Sequence, residues 1–453
     1  MRVMQYVTTQ GFQLRPYELF PCGSTPTASK EIRVDESTAF DGLIGFGVAL
    51  TGSSCYELAT LPPEKRRALL HEIYSPEGLG LSVARLTMGS SDYSAELYSY
   101  DDGPEDLPLE NFSVKRDERY IIPMVKEALA ANPDLYLFAS PWSPPGWMKT
   151  GGSLCGGYMR PRYVDCYADY FCKYLKAYAA HGIPVQAITP QNEPETDYEG
   201  MFSGCFWHPD TEAAFILSLR RKLNEAGLPT QIWMFDHNCG GWARVLWMLR
   251  EYPELLHAAN GVAYHYYSEC VENWDAVREA FPDFPLHFTE GGPRLYDHYG
   301  TDYCKWSIMI GKALNHGSLS FTGWNLLLDE TGGPNIGRCA CGGLLTLDSQ
   351  TGELSRSGQY RALAHYAKFL RRGAHVHPSR ILADAPCMFG FPDTVGIPME
   401  VMAADNPDGT RVLVIANAND TKRQLRYTYG GEQWYIEMLP DSVSTLVFSP
   451  SAT

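Results

Sequence analysis

Hydrophobic and polar positions divide most of this chain into short apolar runs and longer amphipathic segments. Eight of the apolar runs end abruptly at glycine, asparagine, proline or a polar cluster, and their continuous apolar character is typical of strands buried on both faces. These predicted strands cover residues 43–50, 81–87, 134–140, 185–192, 231–236, 261–267, 285–290 and 319–326.

Segments with helical periodicity lie between these runs, at residues 63–74, 117–131, 161–181, 210–226 and 301–316. Asp210 and Thr301 are candidate N-caps for the last two. Gly182 and Gly227 follow predicted helix ends, where a left-handed residue is favoured. The helix after the fifth strand is the least defined and is expected within residues 241–258. A strand followed by a helix, repeated eight times, predicts a (β/α)8 TIM barrel.

The two ends of the chain have a different pattern. Short runs typical of half-exposed strands occupy residues 30–34, 396–403, 411–418, 424–429, 434–438 and 444–448, with turn-forming residues between them. We therefore predict an α/β protein with a barrel domain at residues 41–373. An accessory β-sandwich is expected from both termini, residues 1–40 and 374–453.

Composition and charge narrow the possible partners. The chain has 453 residues and a net charge of −16, which argues against binding nucleic acid or anionic membrane surfaces. No apolar run is long enough to span a membrane, so no stable membrane anchor is expected. The first residues lack a leader pattern, which predicts a cytoplasmic protein, or a secreted one if a leader was trimmed. The twelve scattered cysteines are expected to be free thiols. Oligomeric state is not indicated.

Two glutamates stand where predicted strands end, and such positions face the active site of a parallel barrel. Glu193 follows the fourth strand in Asn192-Glu193-Pro194, and Glu290 ends the seventh before a Gly-Gly pair. A lone glutamate at a strand end is more often an ion-pair partner, but two together provide the paired carboxylates that glycosidic-bond hydrolysis requires. Asn192, next to Glu193, is placed to bond a sugar hydroxyl. The pattern predicts a retaining β-glycosidase.

Other polar and aromatic residues near strand ends have two interpretations each. Arg85, within the second strand, is either a core ion pair or the cation that keeps Glu290 ionised. Asp92 either caps a turn or accepts bonds from sugar hydroxyls. Trp142 and Trp147, on a proline-rich loop, are either core or a ligand-stacking wall. Further candidates end three other predicted strands. The sixth ends with His265 and Tyr267, the eighth with Trp324 and Asn325, and the fifth with Asp236 and His237 as supporting residues.

Competing motifs are absent from the sequence. It has no complete dinucleotide-binding fingerprint, no phosphate-binding loop, no HExxH and no GxSxG. A non-hydrolytic carbohydrate-binding protein remains as an alternative of a different class.

The ordered set of motifs resembles glycoside hydrolase family 30, the glucosylceramidase-like family. The matching segments are Gly45-Phe46-Gly47, Arg85 through Ser94, Ala139-Ser140-Pro141-Trp142, Asn192-Glu193-Pro194, Thr289-Glu290-Gly291, Gly323-Trp324-Asn325 and Gly332-Gly333-Pro334-Asn335. Two features depart from the family: Cys339 stands where an asparagine is frequent, and the leader of secreted or lysosomal members is missing.

The resemblance implies a TIM barrel with a side β-sandwich, with Glu193 as acid/base and Glu290 as nucleophile. It also implies a sugar subsite lined by Asp92, Trp142, Asn192, Tyr267 and Trp324, with Arg85 near the nucleophile. No metal or organic cofactor is implied. The expected substrate is a β-linked glycoside or glycolipid, most simply a terminal β-glucoside. A β-1,6-glucanase, β-xylosidase or xylanase, or β-fucosidase remains an alternative within the family.

Overall fold

The structure, a computed structural model, describes residues 1–21, 30–267, 271–382 and 399–450. The chain divides into two compact units. One contains residues 1–46, 297–319 and 356–453, and the other contains residues 47–296 and 320–355. Within the described residues, no helix has both the length and the apolar character needed to cross a membrane.

Three strands, β1 (Arg2–Thr9), β2 (Phe12–Leu19) and β3 (Lys30–Val34), precede the barrel. The next eight strands close the predicted parallel barrel in chain order, with the last beside the first. They are β4 (Gly45–Leu50), β5 (Val83–Met88), β6 (Tyr136–Pro141), β7 (Ala187–Ile188), β8 (Gln231–Asn238), β9 (Gly261–His265), β10 (Leu286–Glu290) and β11 (Ser318–Asn325). The predicted TIM barrel is confirmed.

Strand β7 is much shorter than the predicted run 185–192. Pro190 has no backbone N–H to donate to a ladder. The chain nevertheless stays attached to β6, because Gln186 and Thr189 donate to the carbonyl oxygens of Leu137 and Ala139 at 2.8 and 3.0 Å. The end of this segment therefore keeps its place at the barrel mouth.

Helices follow most of the barrel strands. They are α1 (Gly52–Thr60), α2 (Pro63–Tyr74), α3 (Ile121–Ala131), α4 (Val164–Ala180), α5 (Pro209–Glu225), α6 (Trp242–Glu251), α7 (Leu255–Ala258), α8 (Asp275–Ala280), α9 (Tyr303–Asn315) and α10 (Gly358–Ala367).

Several helix boundaries differ from the predictions. The poorly defined fifth helix is two helices, α6 and α7, on either side of Pro253, which cannot continue a helix. The predicted caps are wrong: His208 caps α5, and Asp302 precedes α9 without a side-chain cap bond. Gly182 and Gly227 are left-handed, with φ of 78° and 66°.

The remaining strands form three sheets. A small sheet contains β12 (Leu327–Asp329), β13 (Leu345–Leu347) and β14 (Leu354–Arg356). The others are β15 (His375–His377), β16 (Ser379–Ile381), β17 (Met399–Asp405), β18 (Arg411–Asn417), β19 (Arg423–Tyr429), β20 (Glu432–Met438) and β21 (Ser442–Ser449). Residues 396–398 of the predicted strand 396–403 lie outside the described residues.

Both chain ends contribute to each of the two larger sheets. One has the order β15-β17-β18-β21-β1-β2, and the other has the order β16-β3-β19-β20. Their inner faces share one apolar cluster that includes Val3, Ile32, Leu413, Trp434 and Phe448. This is the predicted accessory β-sandwich built from both termini.

Cysteine side chains are not cross-linked in the described part of the chain: Cys55, Cys155, Cys166, Cys172, Cys205, Cys239, Cys304, Cys339 and Cys341 are free thiols. The prediction of free thiols at Cys22, Cys270 and Cys387 falls on residues outside the described ranges.

Candidate active site

Two glutamates meet at the carboxyl ends of the barrel strands. Glu290 is the last residue of β10, and Glu193 lies just past β7. One carboxylate oxygen of each lies within 4.8 Å of the other, and both lie within 4.8 Å of a ring nitrogen of His265. Residues far apart in sequence are thus brought to one point.

Arg85, on β5, is fully buried beneath these carboxylates. It donates to Glu290 Oε2, and its Nη2 donates to Asp236 Oδ2 and Asn192 Oδ1, both at 2.8 Å. Burial alone would lower the pKa of Arg85, but the charges of Asp236 and Glu290 raise it. The guanidinium therefore stays charged and fixes the Glu290 carboxylate from below, while the Tyr267 hydroxyl donates to Glu290 Oε1 at 2.8 Å.

Asp236, near the end of β8, accepts five hydrogen bonds although it is fully buried. Oδ2 accepts from Arg85, Ser140 and Thr189 at 2.8, 2.8 and 2.6 Å, and Oδ1 accepts from His265 and Thr289 at 2.9 and 2.7 Å. Burial would raise the pKa of Asp236, but Arg85 and His265 lower it far below its usual range. Asp236 is a permanent anion between two cations.

His265, at the end of β9, links Asp236 to Glu193. Its Nε2 lies 2.9 Å from Asp236 Oδ1, and its Nδ1 lies 3.1 Å from Glu193 Oε1. Burial alone would lower the pKa of His265, but Glu290 and Asp236 raise it to about 9. The ring therefore holds a proton between the two carboxylates at neutral pH.

Glu193 has contacts on both of its oxygens. Tyr198 donates to Oε2 at 2.6 Å and accepts a bond from Asn192 Nδ2 at 2.9 Å. Oε1 faces His265 and also His237, whose Nε2 lies 3.7 Å away. Burial alone would raise the pKa of Glu193, but His237, His265 and Tyr198 lower it. Glu193 and His265 together hold the proton at this position.

An irregular backbone places these side chains. Glu193, Phe235 and Asp236 have φ values of 49°, 76° and 68°, a left-handed region that costs residues other than glycine about 1–3 kcal/mol each. The pairing of β8 with β9 shifts register between Phe235 and His237, which is a β-bulge. The bulge turns Asp236 into the barrel and His237 toward Glu193.

A cavity of about 310 Å³ opens above the two glutamates. Its aromatic wall is Trp142 and Trp324, whose rings stack at 5.1 Å with an interplanar angle of 23°. The lining residues are Asp92, Trp142, Asn192, Glu193, Tyr198, Met201, Phe202, Asn238, Tyr267, Glu290, Arg294, Trp324, Cys339 and Cys341. An apolar wall opposite a few polar groups is the usual composition of a small-molecule site.

Asp92 is the most unusual polar group of this wall. It is buried, and its Oδ1 has no hydrogen-bond partner among the described residues. Burial, together with the charges of Glu290 and Glu193, raises its pKa to about 8. A buried acceptor without a partner is costly unless a ligand supplies the missing bond.

Most of the residues predicted from sequence meet at this cavity. Asp92, Trp142, Asn192, Tyr267 and Trp324 line it with both glutamates, and Arg85 and His265 lie directly behind. Two lie elsewhere. Asn325 accepts a bond from Thr51 at 2.8 Å, and Trp147 donates to the Asp101 carbonyl oxygen at 3.1 Å.

Several lining residues were not predicted from the sequence: Tyr198, Met201, Phe202, Asn238, Arg294 and Cys341. Most of them lie on loops without periodicity. Arg294 had one usable signal, a cation four residues beyond Glu290 on the same active-face loop. It donates to Cys341 Sγ at 2.8 Å and lies over the Tyr267 ring at 4.9 Å.

Two groups in the described ranges bring three potential metal ligands together: Glu193 with His265 and Glu290, and Glu36 with His377 and Asp405. In the first, Glu290 is bonded by Arg85, and the His265 nitrogen faces Glu193. In the second, Arg411 donates to both carboxylates at 2.8 and 2.7 Å. Since a guanidinium already neutralises each group, we assign neither as a metal site.

Known proteins resemble this chain in sequence. Endo-1,6-beta-D-glucanase of Neurospora crassa is 32% identical over 424 residues, which cover 89% of this chain and 84% of that protein. Putative glucosylceramidase 3 of Caenorhabditis elegans is 32% identical over 365 residues, which cover 76% and 69%.

Solved structures resemble it along the whole chain. SrfJ from Salmonella typhimurium matches with a TM-score of 0.91 and 27% identity, and the endo-beta1,6-glucanase BT3312 matches with a TM-score of 0.86 and 27% identity. Both matches cover 100% of each chain. The family model described as the glycosyl hydrolase family 30 TIM-barrel domain matches residues 43–370. The chain therefore belongs to glycosyl hydrolase family 30 and is an O-glycosyl hydrolase.

Proposed function

We propose that this enzyme hydrolyses β-linked glucosides with retention of anomeric configuration, with Glu290 as nucleophile and Glu193 as acid/base. The observation that carries the proposal is the approach of their carboxylate oxygens to within 4.8 Å. Retaining glycosidases hold their two carboxyl groups about 5–5.5 Å apart, whereas inverting enzymes need about 6.5–9.5 Å to admit a water molecule.

Glu290 is assigned as the nucleophile because of its contacts. Arg85 and Tyr267 each donate to one of its oxygens. These bonds place a guanidinium beside the carboxylate and fix its direction at the cavity floor. A carboxylate fixed in this way is the group that attacks the anomeric carbon.

Glu193 is assigned as the acid/base because it shares a proton with His265 across 3.1 Å. In the first step, Glu290 bonds to the anomeric carbon while the bond to the leaving oxygen breaks. That oxygen takes the proton that Glu193 and His265 hold. In the second step, water attacks the anomeric carbon, its proton returns to Glu193 and His265, and the bond to Glu290 breaks.

The sugar of the cleaved bond is expected to lie against the indoles of Trp142 and Trp324. These rings offer an apolar face to sugar C–H groups. Asp92 Oδ1, which lacks a partner among the described residues, would accept a hydroxyl, and Asn192 would bond the 2-hydroxyl. A terminal β-glucoside is the simplest substrate for a cavity of about 310 Å³.

A second candidate substrate is a β-1,6-glucan. Relatives covering most of this chain are named endo-1,6-beta-D-glucanase, and others are named putative glucosylceramidase. Both kinds of name imply a β-linked glucosyl unit but differ in the group to which that unit is linked. Initial rates and product masses on aryl β-glucosides, glucosylceramide and a linear β-1,6-glucan would decide. Oligosaccharide products from the glucan alone would replace the first substrate with the second.

The catalytic roles are tested by Glu290→Ala and Glu193→Ala. Each is expected to lower kcat by several orders of magnitude without loss of folded structure. Azide added to the Glu290→Ala variant should restore activity and give a glycosyl azide of inverted configuration, since azide then attacks directly. Turnover near that of the native enzyme in either variant would overturn the assignment.

A further inference from the structure

A second histidine, His237, stands beside the Glu193 oxygen that His265 contacts. His237 Nε2 lies 3.7 Å from Glu193 Oε1, and its Nδ1 lies 3.4 Å from Glu195 Oε2. His265 also lies between Glu193 and a second carboxylate, that of Asp236, but at hydrogen-bond distances of 3.1 and 2.9 Å. His237 Nδ1 has no hydrogen-bond partner among the described residues. One glutamate oxygen is therefore flanked by two imidazoles, each backed by its own carboxylate.

The two pairs differ in their access to solvent. The His265 and Asp236 side chains are fully buried, with 0% exposure. In the outer pair, the side chain of His237 is 12% exposed and that of Glu195 is 34% exposed. Of these two pairs, the outer one connects Glu193 to solvent.

The fold holds the outer pair in place through the bulge in β8. The N–H of Phe235 is bonded at 3.0 Å to the buried carboxylate of Glu212, which Arg244 in turn bonds at 2.6 Å. The N–H of Glu193 is bonded to the Asp236 carbonyl oxygen at 2.9 Å. Several independent bonds thus fix a strained backbone, and that backbone aims His237 at Glu193.

Space for Glu195 depends on a glycine. A Cβ atom built at Gly241 would lie 2.9 Å from Glu195 Oε2 and 2.0 Å from the Phe235 ring. A larger residue at this position would displace both the carboxylate and the bulge. The absence of a side chain at Gly241 leaves the Glu195 carboxylate free to approach His237.

We propose that, given the acid/base role proposed above for Glu193, Glu195 and His237 form a positioning pair that controls when Glu193 holds its proton. His237, with Nε2 3.7 Å from Glu193 Oε1, would favour the ionised form of Glu193, and Glu195 would keep His237 oriented. The pair acts through Glu193 and touches no reacting atom.

The neighbouring charges are consistent with this role. Burial alone would raise the pKa of Glu193 and of Glu195. His237 lowers both, and the net result is a lowered pKa for each. The other groups that face these residues are His265, Tyr198, Asp92, Glu290 and Arg244. Since His265 is fixed by Asp236, His237 is the flanking imidazole whose surroundings reach solvent.

The test is the pH dependence of kcat/KM for two aryl β-glucosides with different leaving groups. A 4-nitrophenyl leaving group needs the proton of Glu193, whereas a 2,4-dinitrophenyl group leaves with little help. In His237→Gln, the alkaline limb for the 4-nitrophenyl substrate should move upward by roughly one pH unit, because a group that lowers the pKa of Glu193 is removed. The 2,4-dinitrophenyl profile should not move.

Glu195→Gln is tested in the native enzyme and in the His237→Gln variant. Glu195→Gln should move the alkaline limb when His237 is present and have no effect when His237 has been replaced. Two controls repeat the chemical changes at exposed positions: Glu199→Gln, on the same loop, and His257→Gln, in α7. Neither should move the limb.

Three results would overturn the pairing. They are an unchanged alkaline limb in His237→Gln, an equal loss of kcat/KM on both substrates in that variant, and a shift of the limb by Glu195→Gln when His237 has been replaced. If His237→Gln fails to fold, the ring nitrogens of His237 are followed by 15N NMR in the native enzyme and in Glu193→Gln. An identical titration midpoint would contradict the coupling. Absence of hydrolysis by the native enzyme on both substrates would overturn the proposed function instead.

Discussion

Replacement of Asp236 by asparagine tests whether charge organises the floor of this site. The carboxylate accepts five hydrogen bonds, including one from Arg85 and one from His265. An asparagine side chain at this position would have the same shape but no charge, and one of its two polar atoms would be a donor. Either Arg85 or His265 would then lose its charged acceptor inside a fully buried site.

The size of the effect depends on that loss. Removal of one partner from a buried ion pair costs about 3–5 kcal/mol. In a large domain, each kcal/mol lowers Tm by about 2–4 °C, so a decrease of about 6–20 °C is expected. Asp169→Asn is the matched control. Asp169 bonds Lys222 at 2.9 Å and is 46% exposed, and such surface pairs contribute about 0–1 kcal/mol.

The same variant should change the pH dependence of stability. The pKa of His265 is raised to about 9 from 6.5. A group with a raised pKa contributes stability that is complete below its unfolded value and is lost as pH rises through its folded value. The native enzyme should therefore lose about 3 kcal/mol between about pH 6.5 and pH 9. Asp236→Asn removes part of the cause, so its stability should fall less over this range.

Thermal unfolding followed by tryptophan fluorescence and circular dichroism, across this pH range, measures both effects. The expected result is a lower Tm at neutral pH and a flatter dependence on pH, with neither change in Asp169→Asn. A Tm within about 2 °C of the native enzyme, or an unchanged pH slope, would refute the electrostatic reasoning.

Three further changes test other parts of the site. Burial and the charges of Glu290 and Glu193 raise the pKa of Asp92 to about 8, so its ionisation costs stability as pH rises from about 4 to 8. Asp92→Asn should thus raise Tm near pH 8 in melting experiments while it lowers kcat/KM at least about tenfold. Lys149 Nζ donates to Ser143 Oγ and to two loop carbonyl oxygens at 2.8, 2.7 and 2.6 Å. Lys149→Met should therefore lower Tm in thermal unfolding and raise KM in steady-state kinetics, and Lys149→Arg should change both less. Trp324→Ala should raise KM at least about tenfold and lower stability by about 3–5 kcal/mol, whereas Trp324→Phe should lose less of both.

Much of the barrel was predictable because its strands are buried on both faces. Continuous apolar runs located all eight barrel strands, with boundary errors of a few residues. The errors have local causes. Pro190 shortened the fourth strand, and Pro253 divided the fifth helix into α6 and α7. Proline changes hydrogen bonding without changing the hydrophobic pattern, so the pattern alone placed these boundaries wrongly.

The candidate site was predictable where it stands on a strand or in a motif close after one, as Asp92 and Trp142 do. Glu290, Arg85 and Trp324 occupy strand positions, so their direction follows from the barrel. Tyr198 and Arg294 lie on loops whose path depends on tertiary contacts, and no periodicity indicates it.

The bulge in β8 is the clearest limit. Phe235 and Asp236 adopt left-handed backbone although neither is glycine. Their conformation is stabilised by a bond from the Phe235 N–H to Glu212, a residue on another element. Sequence spacing at the fifth strand end therefore could not show that His237 faces Glu193.

The residues of positive φ near the two glutamates lie on the acid/base side of the site, and this asymmetry has a chemical reason. Glu290 ends β10, which has no residue of positive φ although its pairing with β9 shifts register between Phe288 and Glu290. A nucleophile must reach the anomeric carbon with little positional error. Glu193 follows the short strand β7 and has a positive φ, and the loop after it supplies Tyr198, Met201 and Phe202 to the cavity. The leaving group differs from substrate to substrate, whereas the anomeric carbon does not. We therefore expect relatives with glucosylceramidase and glucanase names to differ mainly in the loop after Glu193, while the supports of Glu290 stay the same.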